Sequence, residues 1–329
     1  MMAISRTPFR ISFFGGGTDY PSFFREHGGS VLSTTINKYC YITARDLPPF
    51  FDHRFRIRYT HREQTQTVEE IAHPSVRECL KFVGFSKDVE MVHTSDIPAM
   101  SGIGSSSSFT VGFLNALYAL KGRMVTKRQL AFDAIKIEQE RIHECVGSQD
   151  QTAAAFGGFN RIDFHQNGNI FVQPATISSE KLRFLQENLM FIFTGQSRIA
   201  AKIAQEQIQN TSHNLRELKA MQEMVDQAVA ILNGPIDNLV EFGQLLHESW
   251  MLKRALTSLI TNEEIDQIYQ TARDNGAIGG KLCGAGGGGF LLLFVPPVAQ
   301  LKVKAALKHL LQVPFHFETL GSHIIFYAE

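Results

Sequence analysis

No two of the four cysteines (Cys40, Cys79, Cys145, Cys283) form a CxxC pair. Their scatter excludes a zinc cluster or a disulfide framework and fits reduced thiols. No apolar run approaches the ~18 residues of a membrane span; the best, 290–295, stops at Pro296-Pro297. The opening MMAISRTPFR puts arginine and proline where a signal peptide needs an apolar stretch, so a cytoplasmic protein is expected. Neither sign of charge prevails, with Lys+Arg and Asp+Glu at 32 each. A global field drawing the chain to nucleic acid or an anionic membrane is therefore absent, and any anion site must be local. No internal repeat, heptad array or low-complexity tract is visible.

What is present is a chain of 329 residues with 26 phenylalanines to fill its core. That length exceeds the ~250–300 residues of a single core, so two domains are expected, divided here as 1–186 and 187–329. Alternating or β-branched runs predict strands at 3–14, 30–36, 39–45, 55–60, 89–94, 158–164 and 170–173. Helical patterning covers 20–27, 74–83, 105–120, 126–144 and 148–156. The second half reads as a buried strand at 189–194 and helices at 198–209, 212–232, 236–258 and 263–275. Strands at 280–283 and 289–295, a helix at 298–311 and strands at 314–318 and 323–327 follow. Strands and helices mix without a regular βαβ alternation, which predicts the α+β class.

Three glycine clusters carry the chemistry. The first is Gly102-Ile-Gly-Ser-Ser-Ser-Ser108, opening onto the helix at 105–120. Gly102 and Gly104 permit positive φ, and Ser105, Ser106 and Ser107 add hydroxyls to the unpaired N–H groups of a first helical turn. The positive end of the helix dipole makes this a phosphate site; a single serine would suffice for an ordinary cap.

The second cluster, Gly284-Ala-Gly-Gly-Gly-Gly289, contains GxGxxG. A dinucleotide fingerprint needs a helix after it, whereas these glycines run into the strand Phe290-Leu-Leu-Leu-Phe294. A P-loop is excluded too, because Gly280-Lys281 is followed by leucine. What remains is a glycine turn between two strands, either packed tightly for its own sake or kept bare for a bulky ligand. Five glycines in six residues cost conformational entropy that a turn alone does not require.

The third cluster, Gly15-Gly-Gly17, ends a strand bearing Arg10 and leaves Thr18 and Asp19 at its mouth. A carboxylate beside a hydroxyl at such a turn serves equally as a cap for the next helix or as a holder of sugar hydroxyls.

These clusters, in their order along the chain (15–17, 102–108, 284–289), resemble those of the GHMP superfamily of small-molecule kinases, which includes galactokinase, homoserine kinase and the mevalonate and phosphomevalonate kinases. The resemblance covers nearly the whole chain. Residues 98–108 are similar to the ATP-phosphate loop, with Ile103 in place of the usual leucine. Residues 281–289 are similar to the third motif, with Cys283 where mevalonate kinases carry threonine. Residues 10–20 resemble the galactokinase sugar-binding opening, except that Gly16-Gly17 replaces its Glu-His pair. The runs Thr7-Pro-Phe-Arg-Ile-Ser-Phe-Phe-Gly-Gly-Gly-Thr-Asp-Tyr20 and Val146-Gly-Ser-Gln-Asp-Gln151 look most like the D-glycero-D-manno-heptose phosphate kinases of bacterial surface-polysaccharide synthesis.

The resemblance implies a fold of two domains, the first like ribosomal protein S5 domain 2 and the second ferredoxin-like with extra helices, with the active site in the cleft between them. It implies ATP bound by Gly102, Ile103, Gly104, Ser105, Ser106, Ser107, Gly284, Ala285, Gly286 and Gly287. Substrate is expected at Gly16, Gly17, Thr18 and Asp19. Asp150 matches the catalytic aspartate and Arg10 the active-site arginine. Ser106 matches the Mg²⁺ ligand; for its glutamate partner, Glu138 is preferred to Glu140 because it lies twelve residues before Asp150, as in galactokinases.

The implied reaction moves the γ-phosphate of ATP to the anomeric hydroxyl of a heptose 7-phosphate. A kinase for fucose, arabinose or galactose and a non-catalytic sugar sensor are the rivals. Small-molecule partners only, and a monomer or homodimer, are expected. For a second phosphate site, Arg54, Arg56 and Arg58 alternate onto one strand face, as a solvated face would also do; Lys38, His61 and Arg198 are further candidates.

Overall fold

The structure is a computed structural model describing residues 1–85, 87–99, 101–195 and 200–329. Among these residues the chain runs β1 (Met2–Phe14), α1 (Pro21–His27), β2 (Gly29–Asp46), β3 (Phe55–Arg58), β4 (Arg62–Thr65), α2 (Pro74–Val83) and β5 (Val89–Ser95). There follow α3 (Ser105–Leu120), α4 (Lys127–Lys136), α5 (Gln149–Phe156), β6 (Phe159–Phe164), β7 (Ile170–Pro174), α6 (Ser179–Glu187), β8 (Leu189–Phe193) and α7 (Ala200–Gln209). The remainder is α8 (Leu215–Asn233), α9 (Leu239–Ala255), α10 (Glu263–Asp274), β9 (Gly279–Leu282), β10 (Phe290–Phe294), α11 (Pro297–Ala306), β11 (Leu311–Gln312), β12 (Phe317–Glu318) and β13 (His323–Ala328). No helix among the described residues is long and apolar enough to cross a membrane.

The larger sheet is built on two long strands. β1 alternates between half-buried and buried over its first residues and is then buried throughout. β2 is buried first and alternates later, so the strands share a stretch covered on both faces, by α3 on one side and by α8 and α9 on the other. The strands expected at 30–36 and 39–45 are thus one, bent by a register shift opposite Pro8 and Phe9. The sheet order is β13-β1-β2-β5-β3-β4, with β6 and β12 on other stretches of β2 and β7 beyond β6. Its pairings are antiparallel except β3 with β5, which bears out the α+β class.

The smaller sheet is antiparallel, β11-β8-β10-β9. Its inner strand β10 is apolar at every position and buried throughout, as a strand covered on both faces must be. The chain's end crosses back over the expected division at 187: β12 pairs with β2 and β13 with β1. Phe317 of β12 packs on Phe13 and Phe159 of the first half, and Phe242 of α9 meets both Phe13 and Phe14. The two halves therefore share one aromatic core.

Two further departures matter for the site. The helix expected over 126–144 ends at Lys136, and one wide turn, closed by the Ile142 N–H to the Ile137 carbonyl (2.9 Å), carries Ile137–Arg141. Such i→i+5 turns concentrate at functional sites. The helix expected at 198–209 is α7, and Arg198 lies outside the described residues.

Candidate active site

A cleft of about 480 Å³ is lined by β1, the turn after it, the first turn of α3, the approach to α5, and α7 and α9. Its organising contact is between two glycine loops far apart in sequence. A Cβ on Gly102 would lie 2.7 Å from the Cys283 carbonyl oxygen, and one on Gly284 2.5 Å from the Gly102 Cα. Both residues sit at positive φ, +78° and +70°. Backbone meets backbone here, which only glycine allows. Gly284 and Ala285 line the cleft beside Gly102, Gly104, Ser105, Ser106 and Ser107.

Gly286 and Gly287 do not reach the cleft. A Cβ on Gly286 would strike the Ile260 backbone at 2.8 Å, and the Gly287 N–H donates to the Ile260 carbonyl (2.8 Å). Ile103, also expected at ATP, is wholly buried; its carbonyl accepts the Arg10 N–H (3.1 Å) and so ties the serine loop to β1. Gly102, Gly104, Ser105, Ser106, Ser107, Gly284 and Ala285 therefore face the cleft, while Ile103, Gly286 and Gly287 anchor the loops behind it.

Arg10, only 4 % exposed, grips Asp150 with a fork: Nε donates to Oδ1 at 2.7 Å and Nη2 to Oδ2 at 2.8 Å. Its remaining nitrogen, Nη1, donates to the Gly102 carbonyl at 2.8 Å. One guanidinium thus fixes both the carboxylate and the serine loop, as its planar fork permits. Asp150 stands in the first turn of α5 and still faces the cleft.

The turn after β1 divides its expected roles. Gly16, Gly17 and Asp19 line the cleft. Thr18 is fully buried and does not. Its hydroxyl lies 2.8 Å from the Gly15 carbonyl and accepts the Ser30 N–H (3.1 Å), holding the turn on β2, so the expected contact with substrate is corrected to a structural one.

Asp19 caps α5 rather than α1: Oδ2 accepts the Gln149 N–H (3.3 Å), and Oδ1 accepts the Gly17 N–H and the Gln149 amide (both 3.1 Å). Burial, and then the nearby Asp150 charge, push its carboxyl up to about 6. A carboxyl raised by folding favours the neutral form, so its contribution to stability is present below pH ~4 and lost as pH rises through about 6. Relative to Asp19→Asn, the wild type is expected to lose about 3 kcal/mol between pH 4 and pH 7. Urea denaturation across that range checks this; a constant difference would contradict it.

Glu138, carried by the wide turn, is completely buried. The serine that reaches it is Ser107, whose hydroxyl donates to Oε2 at 2.9 Å. Ser106, the expected metal ligand, is exposed one step round the helix and lines the cleft. The Thr110 hydroxyl beside the carboxylate donates to the Ser106 carbonyl (3.3 Å), leaving Glu138 Oε1 without a hydrogen-bond partner among the described residues. Burial pushes Glu138 up to about 7, with Glu144 adding repulsion. A half-satisfied buried carboxylate behind a cleft-lining hydroxyl fits a divalent cation that takes its other ligands from water and phosphate. Among the described residues, no group of three or more His, Cys, Asp or Glu side chains could hold a metal by itself.

One part of the cleft escaped the sequence. Tyr59, His73, His93 and Phe109 line it beyond the serine loop. His73 stacks on Phe109 (4.7 Å between centroids), Tyr59 meets His73 edge-on (4.7 Å) and His93 meets Phe109 edge-on (5.1 Å). Burial lowers the pKa of both histidines, which favours neutral rings. The four come from four different segments with no spacing rule to connect them, so no sequence signal marks them. Arg54, Arg56 and Arg58 lie elsewhere: Arg54 pairs with Asp88 (2.7 Å), and Arg56 (2.7 Å) and Arg58 (3.6 Å) with Glu90.

The sequence matches the GHMP kinases N terminal domain over residues 67–158 and the GHMP kinases C terminal domain over 228–312. It is 31 % identical, over 92 % of both chains, to the D-glycero-alpha-D-manno-heptose 7-phosphate kinase of Campylobacter jejuni. The fold superposes on a D-glycero-D-manno-heptose 1-phosphate kinase from Bacteroides thetaiotaomicron with a TM-score of 0.81 at 24 % identity, covering 100 % of each chain. Lactococcus lactis galactokinase, solved with galactose, gives a TM-score of 0.73 at 19 % identity over 98 % of this chain and 94 % of its own. The chain belongs to the GHMP kinase family and is a phosphotransferase with an alcohol group as acceptor.

Proposed function

We propose that the protein transfers the γ-phosphate of ATP to the anomeric hydroxyl of D-glycero-D-manno-heptose 7-phosphate, giving ADP and the 1,7-bisphosphate. The observation that carries this reading is the single Arg10 fork joining Asp150 to the serine loop. Phosphoryl transfer needs in-line positioning, positive charge on the transferring oxygens and a partner for the attacking hydroxyl. The fork sets all three within one side chain's reach. The similarity to the Campylobacter enzyme supports the heptose phosphate as acceptor.

In this reading the phosphates lie between the N–H groups of the first turn of α3 and the Gly284-Ala285 backbone, and the base lies against the Phe109–His73 wall. The acceptor hydroxyl faces Asp150, which accepts its proton as the oxygen–phosphorus bond forms and the bond to ADP breaks. Arg10 keeps the carboxylate aimed and offsets charge on the transferring group. Gly16, Gly17 and Asp19 border the space left for the sugar. Ser107 and Glu138 would hold Mg²⁺, which would neutralise phosphate charge. The enzyme is placed in the cytoplasm, where ATP is available, and its product feeds nucleotide-activated heptose for surface polysaccharide.

An ADP-release assay across heptose 7-phosphate, fucose, arabinose and galactose tests the acceptor. Turnover with heptose 7-phosphate is expected to exceed that with any free sugar by at least about a hundredfold, as a site that selects for the acceptor's phosphate predicts. Equal turnover with a free sugar would overturn the acceptor, and no ADP from any of them would favour a sensor. Ser107→Ala is expected to raise the half-saturating Mg²⁺ concentration roughly tenfold, and Ser106→Ala to leave it near wild type; the reverse order would return the ligand to Ser106.

A further inference from the structure

Two lysines at the inner end of the cleft take no part in the mechanism above. Lys253, in the last turn of α9, is 7 % exposed, and Lys281 on β9 is 3 % exposed. Both line the cleft. Lys253 Nζ donates to the Leu282 carbonyl (3.0 Å) and the Gly284 carbonyl; Lys281 Nζ donates to the Phe13 carbonyl (2.9 Å).

An ammonium has three N–H donors, so one on Lys253 and two on Lys281 are not used by these bonds. The charged and titratable groups facing Lys253 are Lys281, Arg10 and the Cys283 thiol; those facing Lys281 are Lys253, Cys283 and Arg10. No carboxylate is among them, and the charge of Arg10 is already met by Asp150. A chain with no net charge therefore buries two amines here with no carboxylate to hold their charge, an arrangement that costs stability unless an anion arrives.

We infer that Lys253 and Lys281 form an anion receptor for the phosphate oxygens of the bound nucleotide, with Lys253 also holding the Gly284 loop at the height where those oxygens sit. This rests on the reading of ATP as phosphate donor. The placement follows from the loop pair: Lys253 is bonded to Gly284, and Gly284 packs on Gly102 beside the serines. Burial supports it by lowering both ammonium groups, Lys281 to about 8. An anion reverses that shift, so nucleotide binding takes up protons near pH 8.

The test is calorimetric titration of Lys253→Met, Lys253→Gln and Lys281→Met with the β,γ-imido analogue of ATP, with adenosine and with heptose 7-phosphate. Each substitution is expected to weaken the analogue about tenfold to a hundredfold and to leave adenosine within about twofold of wild type. Lys253→Gln keeps an N–H donor for the loop carbonyls, so a loss that persists in it belongs to charge rather than scaffolding. Proton uptake, read from buffers of different ionisation enthalpy at pH 8, is expected to fall in the Lys281 variant.

Equal weakening of analogue and adenosine would overturn the receptor in favour of a structural role. Weakening confined to heptose 7-phosphate would overturn it in favour of the acceptor's phosphate. If the analogue fails to bind the wild type, the ATP reading falls; if it binds wild type and variants alike, only the receptor does.

Discussion

Asp150→Asn is expected to lower kcat by about 10³-fold, some 4 kcal/mol of transition-state stabilisation, while nucleotide affinity stays near wild type. The amide cannot accept the hydroxyl proton, yet it occupies the same space at the start of α5. Arg10 cannot rescue the loss, because its Nε and Nη2 are already committed to that side chain. Arg10→Lys is expected to cost about a hundredfold as well. A single ammonium cannot replace the three directed bonds to Asp150 Oδ1, Asp150 Oδ2 and the Gly102 carbonyl. Steady-state kinetics with a separate binding titration separate the two effects. A wild-type kcat in Asp150→Asn would remove that residue from the chemistry.

Gly284→Ala is expected to have the second largest effect, and for a different reason. Its Cβ would fall 2.5 Å from the Gly102 Cα and 2.6 Å from the Gly102 carbonyl oxygen, and neither atom can swing aside as a side chain would. The left-handed φ of +70° adds about 1–2 kcal/mol for any residue with a Cβ. Together these predict a Tm lower by roughly 5–10 °C and a KM for ATP raised at least about tenfold as the loops part. Gly84→Ala is the control: it shares a left-handed φ, +61°, but has nothing within 4 Å of its Cβ, so it bears the conformational cost alone. If Gly284→Ala merely matched it in Tm and KM, the loops would not be packed as described.

Much of the cleft was legible because local rules wrote it. Glycines followed by serines at a helix start mark an anion site whatever surrounds them, and 105–120 is α3 to the residue. The strand after Gly289 excluded the dinucleotide fold, and β10 is that strand. What could not be read depends on contacts between distant segments. The hydrogen bond from Ser107 to Glu138 depends on the wide turn at Ile137–Arg141 that carries the glutamate, and no spacing rule marks that contact.

Thr18 and Asp19 had equal claims on a substrate; burial assigns the threonine to the β2 backbone and leaves the aspartate at the cleft. Arg54, Arg56 and Arg58 alternated as a phosphate site would, but Asp88 and Glu90 answer them from β5 and the approach to it. The return of β12 and β13 to the first sheet is likewise a long-range pairing, and the short run at 314–318 carries no sign of its partner.

The most direct measurement is a crystal structure with the magnesium-bound β,γ-imido analogue of ATP and heptose 7-phosphate. The β- and γ-phosphates are expected within hydrogen-bonding distance of both the Ser105–Ser107 amides and the Gly284-Ala285 backbone, with the anomeric hydroxyl turned to Asp150. A nucleotide seated away from either loop, or a sugar presenting another hydroxyl to the γ-phosphate, would contradict the account.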